Sequence, residues 1–518
     1  MRPRLLLCGV SLLGYCILTG MQPPVVRATI MAGVVLGGLW MDRIVNWPNA
    51  LAAAALVVLW CNPSQMFDPG FQLSFGAVAS LLAFVPRIRA VLEPRVSVRA
   101  MWLRRYVAVS LASTLAIWIG LWPALAWYFH LVSPISVLAN LLLVPLVSLT
   151  VAYGTPLVLL GTIWAPVVTC TAGTMTWLVD GIVQLVQWCQ AVPFGCWLVG
   201  QPSWWVIGGY YGLVMLTLLR SRLRWSPARV VLCWLAGIAV WVWGTIGVEW
   251  LASRWLEVTV LDVGHGDSIV IRTPNRQTIL VDTGTRQAGQ YTVVPFLHFK
   301  GWNTLDALIL THPDEDHVGG AIPLLGGVRV KRLLTNGFPA TTHTAQAVFA
   351  GAEARRIPRA ILAAGMRLTG APGVEMLVLH PPDGFVPGTS PGSNDNSLVL
   401  TLHMRRMRML LCGDLEEAGV PWVLRWGPVL GSTVLKVPHH GSALGPHGRR
   451  FLEQVHPAAA VISVGRLHGL PSAEVLEELR AVGARVLLTR RVGAVTIRTD
   501  GKRLLVSTFR EPSAPLSP

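Results

Sequence analysis

The chain has 518 residues, 53% of them hydrophobic and 13% charged, with a net charge of +16 and a mean hydropathy of +0.54. An ordinary soluble domain carries about 25% charged residues, so this balance excludes a purely soluble globule and points to the bilayer. The eight cysteines exclude a disulfide scaffold as well: seven lie in the apolar first half and only Cys412 in the second, where a framework would need paired, spaced cysteines.

The two halves differ. Residues 1–254 hold 15 Arg, no Lys and 5 acidic residues, while residues 255–518 hold 27 basic and 21 acidic ones. Residues 1–250 are expected to form a polytopic transmembrane domain and 251–518 a soluble one. Apolar runs occur near 5–20, 25–41, 50–62, 71–86, 107–129, 134–160, 163–190, 203–220 and 229–250. A spanning helix needs about 20 apolar residues. Several runs reach that length, whereas 50–62 and 71–86 read as short, re-entrant or tilted pieces. A signal peptide at 5–20 is disfavoured, because further spans follow at once with no clean small-residue cleavage site.

Arginines in short loops stay on the cytoplasmic side. One cluster is Arg87, Arg89, Arg95, Arg99, Arg104 and Arg105; the other is Arg220, Arg222, Arg224 and Arg229. Four runs separate them, so they share a side, and the count puts the N-terminus inside and the soluble domain outside. Several features look unlike lipid-facing helix: Arg27, the segment Asp68-Pro69-Gly70-Phe71-Gln72, an interruption at Asn140 and Pro145, and Asp180. Charge inside a bilayer usually faces a cavity or a partner.

From Trp255 the texture changes. Short β-branched segments at 257–262, 267–271, 278–282 and 307–311 are separated by turn residues. More follow at 375–379, 397–402, 407–411, 434–437, 459–464 and 486–488, with helical patterns at 318–325, 343–355 and 472–482. This predicts one α/β domain.

The sharpest chemical signal is His312-Pro313-Asp314-Glu315-Asp316-His317, directly after a predicted strand. Asp282 ends another strand, Asp414 a third, and His439-His440 follow a fourth. Carboxylates and imidazoles at several strand ends are what a two-metal site requires, with Asp414 as the natural bridging carboxylate. A solvated polar turn explains one such motif taken alone, but not their recurrence.

The segments LDVGHGDSIVIRTPNRQTILVDTG, LTHPDEDHVGG, NDNSLVL, LLCGDLE and LKVPHHGS, in that order, resemble the metallo-β-lactamase domain of ComEC-type DNA-internalisation proteins. GMQPPVVRATIMAG and FDPGFQLSFGAVASLL resemble the competence membrane domain of the same family. The resemblance implies an α-helical polytopic membrane domain followed by an αββα, metallo-β-lactamase-like α/β domain. It implies metal ligation by His312, Asp314, Asp316, His317, Asp414 and either His439 or His440, with Asp316, Asp414 and Lys436 catalytic. Lys436 would neutralise a scissile phosphate, while Asn394, Asn396 and Ser397 of the NDNS element (with Asp395) would contact substrate. Asp262, Asp267 and Asp282 are expected in support.

Asp314 stands where many superfamily members have a histidine, and NDNS replaces another histidine element. The site is therefore richer in oxygen, which favours Mn²⁺ over Zn²⁺ for the two divalent ions. His265 stands where the family usually has Gln. Leu470 replaces a histidine of the family, with His468 two residues earlier. The family usually carries further N-terminal spans and an OB-fold-like domain ahead of the region where this sequence opens.

The implied function is DNA uptake across the bacterial cytoplasmic (inner) membrane in natural transformation. One strand would pass through the bundle, while the outer domain hydrolyses its partner from duplex at the outer face. A DNA receptor and a cytoplasmic motor are expected partners, since the chain has no P-loop, and self-association is compatible with it. Two alternatives stand beside this reading: a DNA conduit whose soluble domain binds without cutting, and a membrane-tethered hydrolase of small esters. The chain's 22 Trp suit a stacking path for single strands, although Trp also marks membrane interfaces.

Overall fold

The structure is a computed structural model that describes residues 2–94, 100–339, 341–371, 373–465, 469–510 and 514–516. Arg95, Arg99 and His468 lie outside them. The chain divides into two compact units, 1–207 and 208–518.

Each of the nine apolar runs is a helix: α1 (Arg2–Leu18), α2 (Pro23–Trp40), α3 (Trp47–Cys61), α4 (Pro69–Leu92), α5 (Met101–Phe129), α6 (Ser136–Ile163), α7 (Ala165–Ala191), α8 (Trp204–Leu219) and α9 (Pro227–Ala252). Among the described residues, α2, α4, α5, α6 and α9 are long and apolar enough to cross a membrane. Their outward surfaces are apolar, with at most 28% of any spanning window buried. Two expectations need correction. The segment read as a short piece at 71–86 is a 24-residue helix, because α4 continues through Pro86 to Leu92. Asn140 and Pro145 do not interrupt their span: α6 runs unbroken past both Pro145 and Pro156. Membrane helices tolerate proline where neighbouring groups re-satisfy the freed carbonyls. Asp180 is exposed on α7.

The other two unusual features in this unit meet each other. Asp68 is the N-cap of α4, where its Oδ1 accepts the Phe71 N–H at 2.9 Å. The same oxygen lies 3.5 Å from Nη1 of Arg27, a buried side chain on α2, and Gln65 Oε1 accepts from that nitrogen at 3.5 Å. Tyr128 of α5 donates to Gln72 Oε1 at 2.8 Å. A charge buried in this unit thus has a counter-charge supplied by a helix break. Gly70 leaves the room: a Cβ there would sit 2.6 Å from Arg27 Nη2 and 2.9 Å from Asp68 Oδ1. Gly70→Ala is expected to cost about 1–3 kcal/mol through overpacking, read as a lower unfolding temperature of the detergent-solubilised chain. An unchanged temperature would show that the pair yields without strain.

Beyond α9 the chain forms two large sheets and a two-stranded one pairing Thr304–Leu305 with Arg329–Val330. The first has nine strands: β1 (Leu256–Val260), β2 (Ile269–Arg272), β3 (Thr278–Val281), β4 (Ala307–Leu310), β5 (Leu333–Thr335), β6 (Arg359–Ile361), and then β14 (Val495–Thr499), β15 (Leu504–Thr508) and β16 (Ala514–Leu516). Their order is β6-β5-β4-β3-β2-β1-β14-β15-β16. The second has seven strands in sequence order: β7 (Arg367–Ala371), β8 (Val374–His380), β9 (Val399–Met404), β10 (Met407–Leu411), β11 (Val434–Lys436), β12 (Ala459–Ile462) and β13 (Arg485–Leu488).

Side-chain alternation explains the layering. In β4, Ala307 and Ile309 join a core shared with Val378, Leu400 and Met409 of the second sheet. Leu308 and Leu310 point the other way, into a core with Leu324, Val348 and Phe349 of flanking helices. The outer face of the second sheet packs Leu410, Leu435 and Ala460 against Phe451, Leu452 and Leu479. A strand covered on both faces reads as a continuous apolar run, as ALIL does. The domain is four-layered, αββα. One consequence positions the site: β3, β4, β10, β11 and β12 all end on one rim.

Candidate metal centre

The rim collects its polar residues from those strand ends. Thr311 and His312 follow β4, and Asp314, Asp316 and His317 come in the turn and short helix after it (Glu315–Val318). Asp414 follows β10. After β11 the chain passes through His439 (φ 42°, ψ 51°) and His440 (φ 53°, ψ 20°), two successive non-glycine residues in left-handed conformation. Such strain concentrates at functional sites. Here it turns only one of the two imidazoles fully inward: His440 is buried, while His439 remains 25% exposed.

Asp316, His317, Asp414 and His440 offer ligand atoms that all lie within 4.8 Å of one another. Asp414 Oδ2 is 3.2 Å from Nε2 of His317 and 3.2 Å from Nε2 of His440. Asp316 Oδ2 is 3.5 Å from His440 Nε2 and 3.9 Å from His317 Nε2. Bonds of about 2.0–2.2 Å in a tetrahedral site place neighbouring ligand atoms roughly 3.4 Å apart, so these edges have the size of a cation cage. Buried polar atoms are normally satisfied, yet His312 Nε2, His317 Nε2, His440 Nε2 and Asp414 Oδ1 are buried without a hydrogen-bond partner. The residues present fit a divalent ion.

Around this cage the ring nitrogens are assigned by their other partners. His317 Nδ1 lies 2.9 Å from Asp282 Oδ2, which directs Nε2 inward. Asp282 also accepts the Thr311 N–H at 2.8 Å and the Thr311 hydroxyl at 2.7 Å. With its proton committed there, the Thr311 oxygen accepts from His312 Nδ1 at 3.0 Å, leaving the lone pair of Nε2 for the pocket. His440 Nδ1 donates to Ser463 O at 2.8 Å. Asp282→Asn is expected to weaken metal binding about 10–100-fold, measured by metal titration of the full chain. Unchanged affinity would deny Asp282 this orienting role.

The electrostatics follow from burial and mutual proximity. Burial and the His317 charge push His312 down to about 3. Burial disfavours charge on His440 too, but Asp414 and Asp316 overcome it and hold that imidazole up to about 9. Burial opposes ionisation of Asp414 as well, and His317 and His440 hold it well below the usual carboxylate range. Asp314, by contrast, is raised by burial and by Asp316 beside it. Its Oδ2 is 3.7 Å from His312 Nε2. His312 and Asp314 thus form a second, more open half of the pocket.

Of the expected ligands, the geometry brings Asp316, His317, Asp414 and His440 into one cage, with His312 and Asp314 beside it. His439 stands at the mouth, its Nε2 3.9 Å from Asp414 Oδ2 and its Nδ1 3.0 Å from Glu416 Oε1. His265 reaches the site: its Nε2 is 3.8 Å from Asp316 Oδ2, and its ring lies 4.3 Å from that of His440. Gly266 permits this approach, since a Cβ there would sit 2.0 Å from Asp316 O.

The residues expected to contact substrate have partners within the domain. Lys436 has no accessible surface, and its ammonium pairs with Asp267. Asn396 is buried and staples a loop, accepting from Val386 N–H at 2.8 Å and donating to Thr389 Oγ1 and Ser390 O at 2.9 and 2.8 Å. Ser397 Oγ accepts the Asp414 N–H at 3.2 Å. Asn394 donates to Glu416 at 3.1 Å, and Asp395 accepts from Gly419 at 3.0 Å. The NDNS element therefore braces the Asp414 loop. Asp262 is half-buried with its carboxyl raised by burial. Leu470 packs against the outer core of the second sheet. Thr311 and Glu416 went unread in the sequence although each lies within two residues of a ligand.

Fold and site together define a metallo-β-lactamase-type domain, and residues 261–465 match the family model described as metallo-beta-lactamase superfamily. Residues 2–224 match the one described as Competence protein. The chain thus joins a region similar to the Competence protein family to a region similar to the metallo-β-lactamase superfamily, and its apolar helices mark it as a multi-pass membrane protein. It is 30% identical over 516 residues to ComE operon protein 3 of Bacillus subtilis, covering 96% of this chain and 63% of that protein. It is 28% identical to competence protein ComA of Neisseria gonorrhoeae over 95% of this chain and 65% of that one. The chain thus spans less than two thirds of these relatives' length. Among solved structures, the metallo-beta-lactamase fold protein YhfI from Bacillus subtilis is similar at 12% identity, over 47% of this chain and 100% of that one, with a TM-score of 0.31.

Proposed function

We propose that the chain serves DNA uptake across the cytoplasmic membrane, and that its C-terminal domain, lying outside, hydrolyses phosphodiesters of the strand that does not enter. The carrying observation is the cage of Asp316, His317, Asp414 and His440 with the unsatisfied nitrogen of His312 beside it. The similarity to competence proteins supports DNA as substrate.

Asp316, His317, Asp414 and His440 would hold one divalent ion. His312 and Asp314 would begin the site for a second, with Asp414 shared between them. Such ions activate water and offset charge developing on a phosphate. The mixed carboxylate–imidazole donor set, with Asp314 on the open side, favours Mn²⁺, with Zn²⁺ next. Asp282, Thr311 and Ser463 keep the imidazole tautomers fixed, so the ligands need no rearrangement as substrate arrives. His439, partly exposed and oriented by Glu416, would face the side from which a phosphodiester approaches.

The full chain, purified in detergent and stripped of metal, is expected to cleave single-stranded and duplex DNA when Mn²⁺ is restored, faster than it cleaves bis-p-nitrophenyl phosphate. Bound metal without cleavage would favour a binding-only conduit. Turnover of the small ester alone would favour a tethered esterase.

A further inference from the structure

The strand directions leave an end of the domain opposite the metal rim, and its chemistry is distinct. Two hairpin turns form it. One joins β9 to β10 through Arg405 and Arg406; the other joins β14 to β15 through residues 500–503. The turns touch: Arg406 N–H donates to Gly501 O at 3.4 Å and Arg405 Nη1 to Asp500 O at 3.4 Å. Arg405, Arg406 and Arg408 line a groove of about 790 Å³ together with His403 and His456. Among the described residues, no carboxylate lines it. The acids nearby are already engaged. Asp500 Oδ1 accepts the Lys502 and Arg503 N–H groups at 2.8 Å each, and Glu375 pairs with Arg367 at 2.9 Å. Lys502 and Arg503 are exposed on the same turn.

The position of this end follows from the register. Thr499, the last residue of β14, pairs with Leu256, the first of β1. Helix α9 ends at Ala252, so only three residues separate the helix from that strand end. A linker that short reaches at most about 14 Å. With 26 residues, α9 is about 39 Å long against a hydrocarbon core of about 30 Å, so its ends reach the headgroup layers. Trp250 and Arg254 stack at 4.2 Å near its C-terminus, an aromatic and basic pair of the kind found at membrane interfaces. The basic turns are therefore tethered near headgroup depth, while the metal rim sits at the other end of the strands.

We infer that this end is a docking surface for the phosphates of anionic phospholipids, holding the domain upright on the membrane with its metal rim turned away from the bilayer. Clustered arginines beside a membrane helix attract anionic headgroups additively, and the attraction fades within a Debye length. The inference does not depend on what the metal site cleaves.

The test uses the full chain in nanodiscs of phosphatidylcholine alone or with phosphatidylglycerol, followed by hydrogen–deuterium exchange. Amides of 403–408 and 499–504 are expected to exchange about ten-fold more slowly with phosphatidylglycerol present, and to lose that protection in about 1 M salt, where the Debye length is near 3 Å. The triple change Arg405→Gln, Arg406→Gln, Arg408→Gln should abolish the protection, while the corresponding three Lys substitutions keep it. Unchanged exchange in β1 and β12 will show that the variants fold. If they do not, the lipid and salt dependence of the unaltered chain still decides. Equal exchange in both discs overturns the inference, as does protection that survives the Gln changes. Protection that appears only on adding an oligonucleotide overturns it in favour of nucleic acid.

Discussion

Asp414→Ala in the full chain is expected to release bound metal and to lower Mn²⁺-dependent DNA cleavage by about 10³-fold or more. Loss of a stabilisation worth several kcal/mol gives a factor of this order. The reason lies in the cage: one oxygen of Asp414 is 3.2 Å from both His317 and His440, and the other is buried without a partner. Asp316 remains in the cage but already serves as a ligand there, and Asp282 is turned away into the Thr311 and His317 hydrogen bonds. Asp414→Asn keeps the shape but removes the charge that offsets two imidazoles, so it should fail almost as fully. His439→Ala should keep its metal, since that side chain stands at the mouth. Metal analysis of the purified variants beside cleavage rates checks all three. An Asp414→Ala chain that keeps both metal and rate would remove the basis of the enzymatic reading.

What the sequence disclosed and what it hid divide along a physical line. The nine apolar runs were legible because a bilayer demands length and hydropathy and little else. The motif residues His312, Asp316, His317 and Asp414 were legible because polar residues directly after apolar strands must emerge on a sheet's rim. Burial was not legible. Lys436 and Asn396 carry groups that usually meet solvent or substrate, and only the packing shows that both are enclosed and satisfied from within. Strands β14 and β15 were also missed. β14 pairs with β1, more than 230 residues earlier (Thr496 meets Thr259 across a separation of 237), and β15 joins the sheet only through β14 and β16, so no local signal marks VTIRT and LLVST as strands. Left-handed His439 and His440 decide which imidazole enters the cage, and a backbone angle of that kind leaves no mark on residue type.

The same distinction gives the second large expected effect, on stability. Lys436 and Asp267 are 0% and 1% exposed and paired with each other. Burial opposes the Lys436 charge, but Asp267 and then Asp414 hold its ammonium above the ordinary lysine value. Removing one partner leaves a buried charge uncompensated, so Lys436→Met is expected to destabilise the C-terminal domain by about 3–5 kcal/mol, and Asp267→Asn by a similar amount. The double change should cost less than the sum of the two, because neither charge is then left alone. The pair also joins the two sheets: Asp267 follows Gly266, whose carbonyl accepts the Ser463 hydroxyl at 2.7 Å, while Lys436 ends β11 just ahead of the two histidines. Loss of stability should therefore come with weaker metal binding. Denaturant unfolding of the full chain, followed by its C-terminal amides in hydrogen exchange, measures the cycle. If Lys436→Met left stability intact and lowered only the cleavage rate, Lys436 would act on substrate, and the structural role derived from its burial would be wrong.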